Sequence, residues 1–463
     1  MKCRLSNQLQ LEGAPTKVLD YLDEVYTYQN PAWYNWNNMR LDAERRGAAF
    51  EEEEPPTHIP LHDRDAGLYP ITAVSLLVRE LGYKDLVCDN QLNLPHAEYP
   101  PIKESFRARP NQVKFLEDTR KVNLGLIRMP TGAGKTLSML LKILELETTA
   151  LIIVPNEILL RQTVDKIREF TGYECGTIIE GKEDIQSITV ATYQSFHRGD
   201  RGLKDAWGVV MFDEVHKACG YKWSSILQMF GAKYRYGFSA TYDRSDGGFA
   251  LLKLVLGGLI HITSNDEMYQ EKIIVPARVM FVESPHRTYR EFKPDEMGPM
   301  ALAIARHGPR NNFVTRTVRK MYKERTSLIL TARVDHAQAL AELLEDLNPV
   351  LFHGQLSPKK KEADRLKKEA LEKVHASKEC ILIATHLSVG VGFDLPKLDT
   401  LFLAHPFSSK ILTEQVAGRI MRSLPGKSEC LIVDFVDVNS PTLSKFADRR
   451  TATYKSLGFT IDP

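Results

Sequence analysis

The octapeptide Met129-Pro130-Thr131-Gly132-Ala133-Gly134-Lys135-Thr136 places two glycines, a lysine and a hydroxyl in the order that phosphate binding needs. Gly132 and Gly134, with Ala133 between them and Thr131 before them, let backbone N–H groups close around phosphate oxygens, and a helix opening at Lys135 adds the favourable end of its dipole. Lys135 then reaches the β- and γ-phosphates, and the Thr136 hydroxyl reaches Mg²⁺. The general pattern begins with glycine; here that position is Met129. Seventy-eight residues after Lys135, the apolar run Val209-Val210-Met211-Phe212 leads straight into Asp213-Glu214-Val215-His216. A carboxylate at the carboxyl end of a parallel strand stands where open α/β sheets bind ligands. Asp213 is placed to hold Mg²⁺, and Glu214 to orient and deprotonate an attacking water. Alone, the acidic pair would read as the start of a helix. In one domain with a phosphate loop, nucleotide hydrolysis is the better reading.

The elements that must position these groups follow a regular rhythm from about Phe106. Strands are expected at Leu124 to Arg128, Ala150 to Val154, Ser187 to Ala191, Val209 to Phe212 and Tyr236 to Ser239, where short apolar runs are rich in β-branched residues. Amphipathic stretches such as Leu137 to Leu146 and Ile158 to Phe170 lie between them. The rhythm restarts with Ser327 to Thr331, Pro349 to Phe352, Cys380 to Ala384, Thr400 to Leu403 and Cys430 to Phe435. Alternation of this kind predicts parallel sheets covered by helices. The weakly periodic stretch from Ser264 to Met300 places the junction near residue 270. Domains are therefore expected at 1–102, 103–270 and 271–463, with Pro95 to Pro101 as a linker.

A length of 463 residues suits two or three domains. The chain is 43% hydrophobic and 26% charged, which excludes a disordered or collagen-like polymer. Sixty-one Lys and Arg against 59 Asp and Glu leave +2, which excludes a histone-like binder. The balance is uneven along the chain: the first hundred residues hold 9 basic against 16 acidic, and the remainder 52 against 43. Six scattered cysteines with no C-x-x-C pair argue against a zinc cluster or a disulfide framework and for a reducing cytosol. The histidines form no helical ligand pair, so no metal is expected beyond nucleotide-bound Mg²⁺. No apolar run approaches membrane-spanning length, and the N-terminus lacks a signal-peptide core. The run Lys359-Lys360-Lys361 through Lys373 reads as a solvated basic helix with Ala363, Leu366 and Ala370 on one face.

Taken in order, the phosphate loop, Asp213-Glu214-Val215-His216, Ser239-Ala240-Thr241 and Gln415-Val416-Ala417-Gly418-Arg419-Ile420-Met421-Arg422 resemble the motifs of superfamily 2 helicases, from about residue 106 to about 437. That resemblance implies an α/β fold with two tandem RecA-like parallel-sheet domains, preceded here by a small α+β accessory domain. It implies ATP and Mg²⁺ as cofactors. Arg109-Pro110-Asn111-Gln112 resembles the adenine-reading segment, with Gln112 as the reader. Asn156 and Arg161, and Thr192 and Gln194, fall in segments similar to strand-contacting motifs of the first domain. Thr385 lies in a similar motif of the second, and Asp394 there would meet the ribose. His216, Ser239 and Thr241 would couple nucleotide to strand. Gln415, Arg419 and Arg422 resemble the catalytic arginine-finger motif that faces the γ-phosphate, acting only when the two domains close.

The first hundred residues carry a looser likeness. Tyr28-Gln29-Asn30-Pro31-Ala32-Trp33-Tyr34, Gly67-Leu68-Tyr69-Pro70, Leu76-Leu77 to Gly82-Tyr83-Lys84 and Val87-Cys88-Asp89 resemble the small leading domain of phage recombination helicases of the UvsW type. The Gly-rich Trp-Asp-Gly stretch usual there is absent, and Glu51 to Glu54 stands in its place, where four carboxylates would repel phosphate. Most rings of the cluster Tyr21, Tyr26, Tyr28, Trp33, Tyr34 and Trp36 suit a small core; Trp33 and Trp36 are the pair suited to stacking on unpaired bases. The resemblance implies a motor for branched DNA, forks and four-way junctions, working in recombination, repair or replication. It would act in the cytoplasm, that of a bacterial host if phage-encoded, with no membrane partner; the oligomeric state is left open, a monomer being compatible. The alternatives are an RNA helicase, a duplex translocase that does not separate strands, and an ATP-gated DNA-binding or annealing factor.

Overall fold

The computed structural model describes the chain except residues 46–48, 51, 84–85, 87, 93, 180–181, 220, 243–247, 285–286, 288–290, 294–295, 358–359, 391–394 and 463. Glu51, Lys84, Val87, Lys359, Gly392 and Asp394 therefore lie outside the described residues, as does the side chain of Tyr34. The chain divides into two compact units: Met1–Pro130 with Gly134–Thr263, and Ser264–Pro463 with Thr131–Ala133.

The first unit is built on an eight-stranded sheet in the order Lys182–Asp184, Gly176–Ile179, Ile188–Thr192, Ala150–Val154, Val209–Phe212, Tyr234–Ser239, Leu124–Arg128, Leu259–Ile262. All neighbours are parallel except the edge pair Lys182–Asp184 and Gly176–Ile179. Ala150–Val154, Ile188–Thr192 and Val209–Phe212 are buried at every position, which is why they read as unbroken apolar runs. The second unit holds a wholly parallel seven-stranded sheet in the order Val350–Phe352, Cys380–Thr385, Thr326–Thr331, Thr400–Leu403, Cys430–Asp437, Ala277–Ser284, Thr460–Ile461. The two-domain parallel-sheet α/β architecture is as expected. The strand Ala277–Ser284, inside the stretch judged weakly periodic, was not anticipated. It pairs along its whole length with Cys430–Asp437, and its half-buried alternation blurs the apolar run that marks central strands.

The leading residues form a four-stranded sheet, Leu68–Tyr69, Leu9–Glu12, Lys2–Leu5 and Cys88–Asn90, with helices Thr16–Val25, Pro31–Arg45 and Ala73–Arg79. They do not have a separate core. Leu9, Leu11, Leu22, Tyr26, Tyr69 and Leu77 belong to one continuous apolar cluster with Leu151, Trp207, Phe230 and Leu256 of the large sheet and its covering helices. Arg235, 1% exposed in the strand Tyr234–Ser239, reaches back and donates to the carbonyls of Asn7 (2.8 Å) and Ser6 (3.1 Å). The carbonyl of Gln228 accepts from the Asn7 amide at 3.0 Å. Nor is Pro95 to Pro101 a loose connector: Ala97 N–H donates to Glu147 O, Thr149 N–H to Pro95 O and Tyr99 Oη–H to Thr148 O. A further departure concerns the cysteines. Cys3 is disulfide-bonded, and Cys88 stands opposite it in parallel register. Distance in sequence had concealed that proximity, because strand pairing joins the two ends of the leading segment.

Candidate functional site

Leu124–Arg128 ends in the loop Met129 to Gly134, and the helix Lys135–Leu146 follows. Gly132 and Gly134 adopt φ of 91° and 88°, a left-handed backbone that suits glycine. A Cβ on Gly134 would also collide with the Gln112 amide. Gln112, 1% exposed at the start of Pro110–Thr119, accepts from Arg109 N–H (2.9 Å) and donates from Nε2 to Gly134 O (3.3 Å). The residue expected to read adenine is thus fastened to the phosphate loop itself. Met129 is fully buried and its N–H donates to Ser239 O, so the departure from glycine at that position serves as a core anchor.

The strand Val209–Phe212 delivers Asp213 and Glu214 to the carboxyl end of the sheet, beside this loop. Lys135 Nζ lies 2.5 Å from Glu214 Oε1 and 3.7 Å from Asp213 Oδ1, and the three side chains are only 14–18% exposed. Glu214 sits at φ 47°, a left-handed conformation unusual for a residue with a Cβ. Burial raises the Asp213 carboxyl above its ordinary range despite Lys135. Burial pushes the Glu214 carboxyl upward as well, but the nearby Lys135 ammonium and His216 outweigh it and hold the group at about 2. Asp213 Oδ1 is buried with no hydrogen-bond partner among the described residues. An orphaned carboxylate oxygen in a phosphate-loop site fits Mg²⁺ held jointly with a nucleotide, Asp213 and the Thr136 hydroxyl being the protein donors. Among the described residues there is no cluster of three or more His, Cys, Asp or Glu to hold a metal alone.

An ion-pair contact from Glu214 and then hydrogen bonds lead away from the carboxylates. His216 Nδ1 is 3.4 Å from Glu214 Oε2 and 2.9 Å from Ser239 Oγ. Ser239 Oγ–H donates to Thr241 O (2.6 Å) and accepts from Thr241 N–H (3.2 Å). All three are nearly inaccessible.

The other expected positions fall at the same sheet edge or in the second unit. Thr192 and Val154 are register partners, which sets Asn156 and Thr192 at the ends of neighbouring strands. Asn156 caps the helix Glu157–Thr171 through Leu159 N–H (3.1 Å), and Thr192 Oγ1 is 3.0 Å from Ser195 Oγ. Arg161 and Gln194 are exposed. In the second unit, Thr385 ends Cys380–Thr385 with Oγ1 3.0 Å from Ser388 Oγ. Gln415 and Arg419 lie on Lys410–Ile420, and Arg422 follows at its C-terminal turn. Trp33 donates its indole N–H to Glu54 (2.8 Å), and Trp36 donates to Glu52 O (3.0 Å) while meeting Phe50 edge-on. Sequence reasoning missed Arg235, a buried cation, and Lys427, a half-buried one, neither with a motif signal; their carbonyl partners distinguish them.

Comparison with known proteins agrees with this order of elements. Residues 105–244 match the family model "Type III restriction enzyme, res subunit", and 310–423 match "Helicase conserved C-terminal domain". A 192-residue stretch is 31% identical to "DNA 3'-5' translocase XPB2" of Sulfurisphaera tokodaii, covering 42% of each chain, so this match spans less than half of that relative. "Probable helicase D10" of Escherichia phage T5 is 23% identical over 445 residues, 93% of this chain and 94% of the relative. "ATP-dependent DNA helicase uvsW" of Enterobacteria phage T4 is 22% identical over 333 residues, 67% and 65% of the two chains. Two matched domain models in helicase order, on two parallel-sheet units with a phosphate loop and Asp213-Glu214 at one sheet edge, identify this chain as a superfamily 2 helicase, an ATP-dependent nucleic-acid motor resembling the phage helicases of the UvsW type.

Proposed function

We propose that the chain hydrolyses ATP by in-line attack of a Glu214-oriented water on the γ-phosphate and spends the cycle on unwinding or remodelling branched DNA. The observation that carries the chemistry is the contact of Lys135 with Glu214 at the mouth of the phosphate loop. The ammonium holds the carboxylate far below neutrality, where it is a weak base. A γ-phosphate competes for Lys135, and as the ammonium turns to phosphate oxygens Glu214 regains basicity beside the reacting centre. Bound Mg²⁺ would supply charge neutralisation on the phosphates, with Thr136 and Asp213 as its protein donors. Gln112 orients the base through its link to the loop, and Asp394 is assigned to the ribose. Gln415, Arg419 and Arg422 supply charge to the transition state from the second domain. The chain from Glu214 through His216 and Ser239 to Thr241 carries nucleotide state toward the strand contacts, assigned to Asn156, Arg161, Thr192, Gln194 and Thr385.

For the substrate, residues 1–102 are assigned as the selector. What supports this is their shared core with the first motor sheet, which makes any contact they form with a junction act on the motor directly. A panel of ATPase and strand-displacement assays tests it: forks and four-way junctions are expected to stimulate turnover and to be resolved faster than linear duplex, single strands or RNA. Stimulation by RNA alone would overturn the DNA assignment. Trp33 and Trp36 test the stacking role. The double substitution Trp33→Ala, Trp36→Ala is expected to leave DNA-free ATPase activity intact and weaken junction binding about tenfold. Unchanged junction affinity in a titration would assign the pair to holding the Glu52 and Glu54 segment instead.

A further inference from the structure

Lys427 is a half-buried cation whose ammonium is held by backbone carbonyls alone in the hydrogen bonds it makes. The six residues Arg422-Ser423-Leu424-Pro425-Gly426-Lys427 reverse the chain in a tight turn, with Lys427 N–H donating to Leu424 O at 2.9 Å and Gly426 at φ 86°. Pro followed by a left-handed Gly is the composition of a type II turn. The reversal brings the lysine side chain back beneath the segment it has just left. Its Nζ donates to four backbone carbonyls: Ile420, Arg422 (2.9 Å), Pro396 (3.0 Å) and Leu398 (2.5 Å). An ammonium has three protons, so four acceptors saturate it.

Those carbonyls belong to two different places in the fold. Ile420 and Arg422 end and follow the helix Lys410–Ile420, and Pro396 and Leu398 follow the segment containing Asp394. On its other side the Arg422 segment is held by backbone hydrogen bonds, Val275 N–H to Met421 O at 2.7 Å and Ser423 N–H to Ile273 O at 3.1 Å. A helix C-terminus has carbonyls with no intrahelical donor, and a lysine there is favourable both as donor and as charge. Here one ammonium satisfies that helix end and a second chain at once, fixing the backbone from which Arg422 projects.

We infer that Lys427 is a positioning residue for the arginine fingers, its ammonium tying the backbone of Arg422 to the Pro396–Leu398 segment so that the guanidinium is presented at a set position. This rests on the reading of Arg419 and Arg422 as facing the γ-phosphate. A merely structural staple would predict lower stability with any catalytic loss independent of Arg422. A positioning role predicts that the two residues act as one unit.

The experiment is a double-mutant cycle on the full chain, reading DNA-stimulated kcat and KM for ATP for Lys427→Met, Arg422→Ala and the pair. Lys427→Met keeps the apolar stem and removes the donors; kcat is expected to fall on the order of tenfold with KM for ATP within about twofold. In the Arg422→Ala background the same substitution is expected to cost almost nothing more. Full multiplication of the two losses, or wild-type kcat in Lys427→Met, overturns the inference. Wild-type kcat in Arg422→Ala instead overturns the finger reading beneath it. If Lys427→Met does not fold, Lys427→Gln, which retains two amide donors, carries the same cycle with the same criteria.

Discussion

Lys135→Ala is expected to reduce ATP hydrolysis by on the order of 10³-fold or more, measured as steady-state phosphate release with saturating DNA. The ammonium is the cation nearest the two carboxylates and the residue that the phosphate-loop geometry aims at the transferring group. Its removal has a second consequence. Asp213 and Glu214 would be left side by side, mostly buried, with their nearest positive charge gone. Breaking such a pair from one side costs on the order of 3–5 kcal/mol. Lys135 lowers the folded-state pKa of Glu214, so its contribution to stability is complete above the ordinary carboxylate value near 4.5 and is lost as pH falls toward about 2. Thermal unfolding should therefore show the variant clearly destabilised at pH 7, with the gap from wild type narrowing at pH 3. Equal gaps at both pH values would mean that the ion pair is not what Lys135 contributes to stability.

Glu214→Gln is expected to bind ATP and fail to cleave it, with turnover down on the order of 10²- to 10⁴-fold. The amide cannot take a proton from water. It also exerts no hold on Lys135 comparable to the 2.5 Å carboxylate contact, so the ammonium is free for phosphate before nucleotide arrives. Nucleotide affinity should rise while chemistry stops, trapping ATP. The substitution preserves side-chain size, and glutamine is no worse suited than glutamate to φ 47°. A fluorescent-nucleotide titration paired with single-turnover hydrolysis checks both halves. Near wild-type turnover would remove Glu214 from the base role; lost binding would show that the carboxylate is needed to shape the loop.

How much of this was legible beforehand varies by element. Leu124–Arg128, Ala150–Val154, Val209–Phe212 and Thr400–Leu403 were readable because strands covered on both faces are largely apolar. Ala277–Ser284 was not, because its half-buried residues and the charges at Arg278 and Glu283 break that run. The phosphate loop and Asp213-Glu214 were readable because close backbone approach and strand-end carboxylates require particular residues at short spacing. The link from Gln112 to Gly134 was visible only as a residue type at a resembling position, since its meaning lies in a contact 22 residues away. The disulfide at Cys3 was misjudged for the same reason.

The sequence by itself determined the local chemistry: glycines where the backbone must turn left-handed, a lysine and hydroxyl at a helix start, an acidic pair at a strand end, and alternating strand and helix that leave parallel sheets as the economical arrangement. The tertiary structure decided what those groups do to one another. It set Lys135 against Glu214 and so lowered the carboxylate's basicity. It ran a hydrogen-bonded chain from His216, beside Glu214, to Thr241, merged the leading segment into the first motor's core around Arg235, and held Lys427 beneath Arg422. The physical reason is range. Backbone conformation and burial pattern depend on neighbours in sequence, whereas electrostatic pairing and carbonyl satisfaction depend on neighbours in space, and those are brought together only when the sheets assemble.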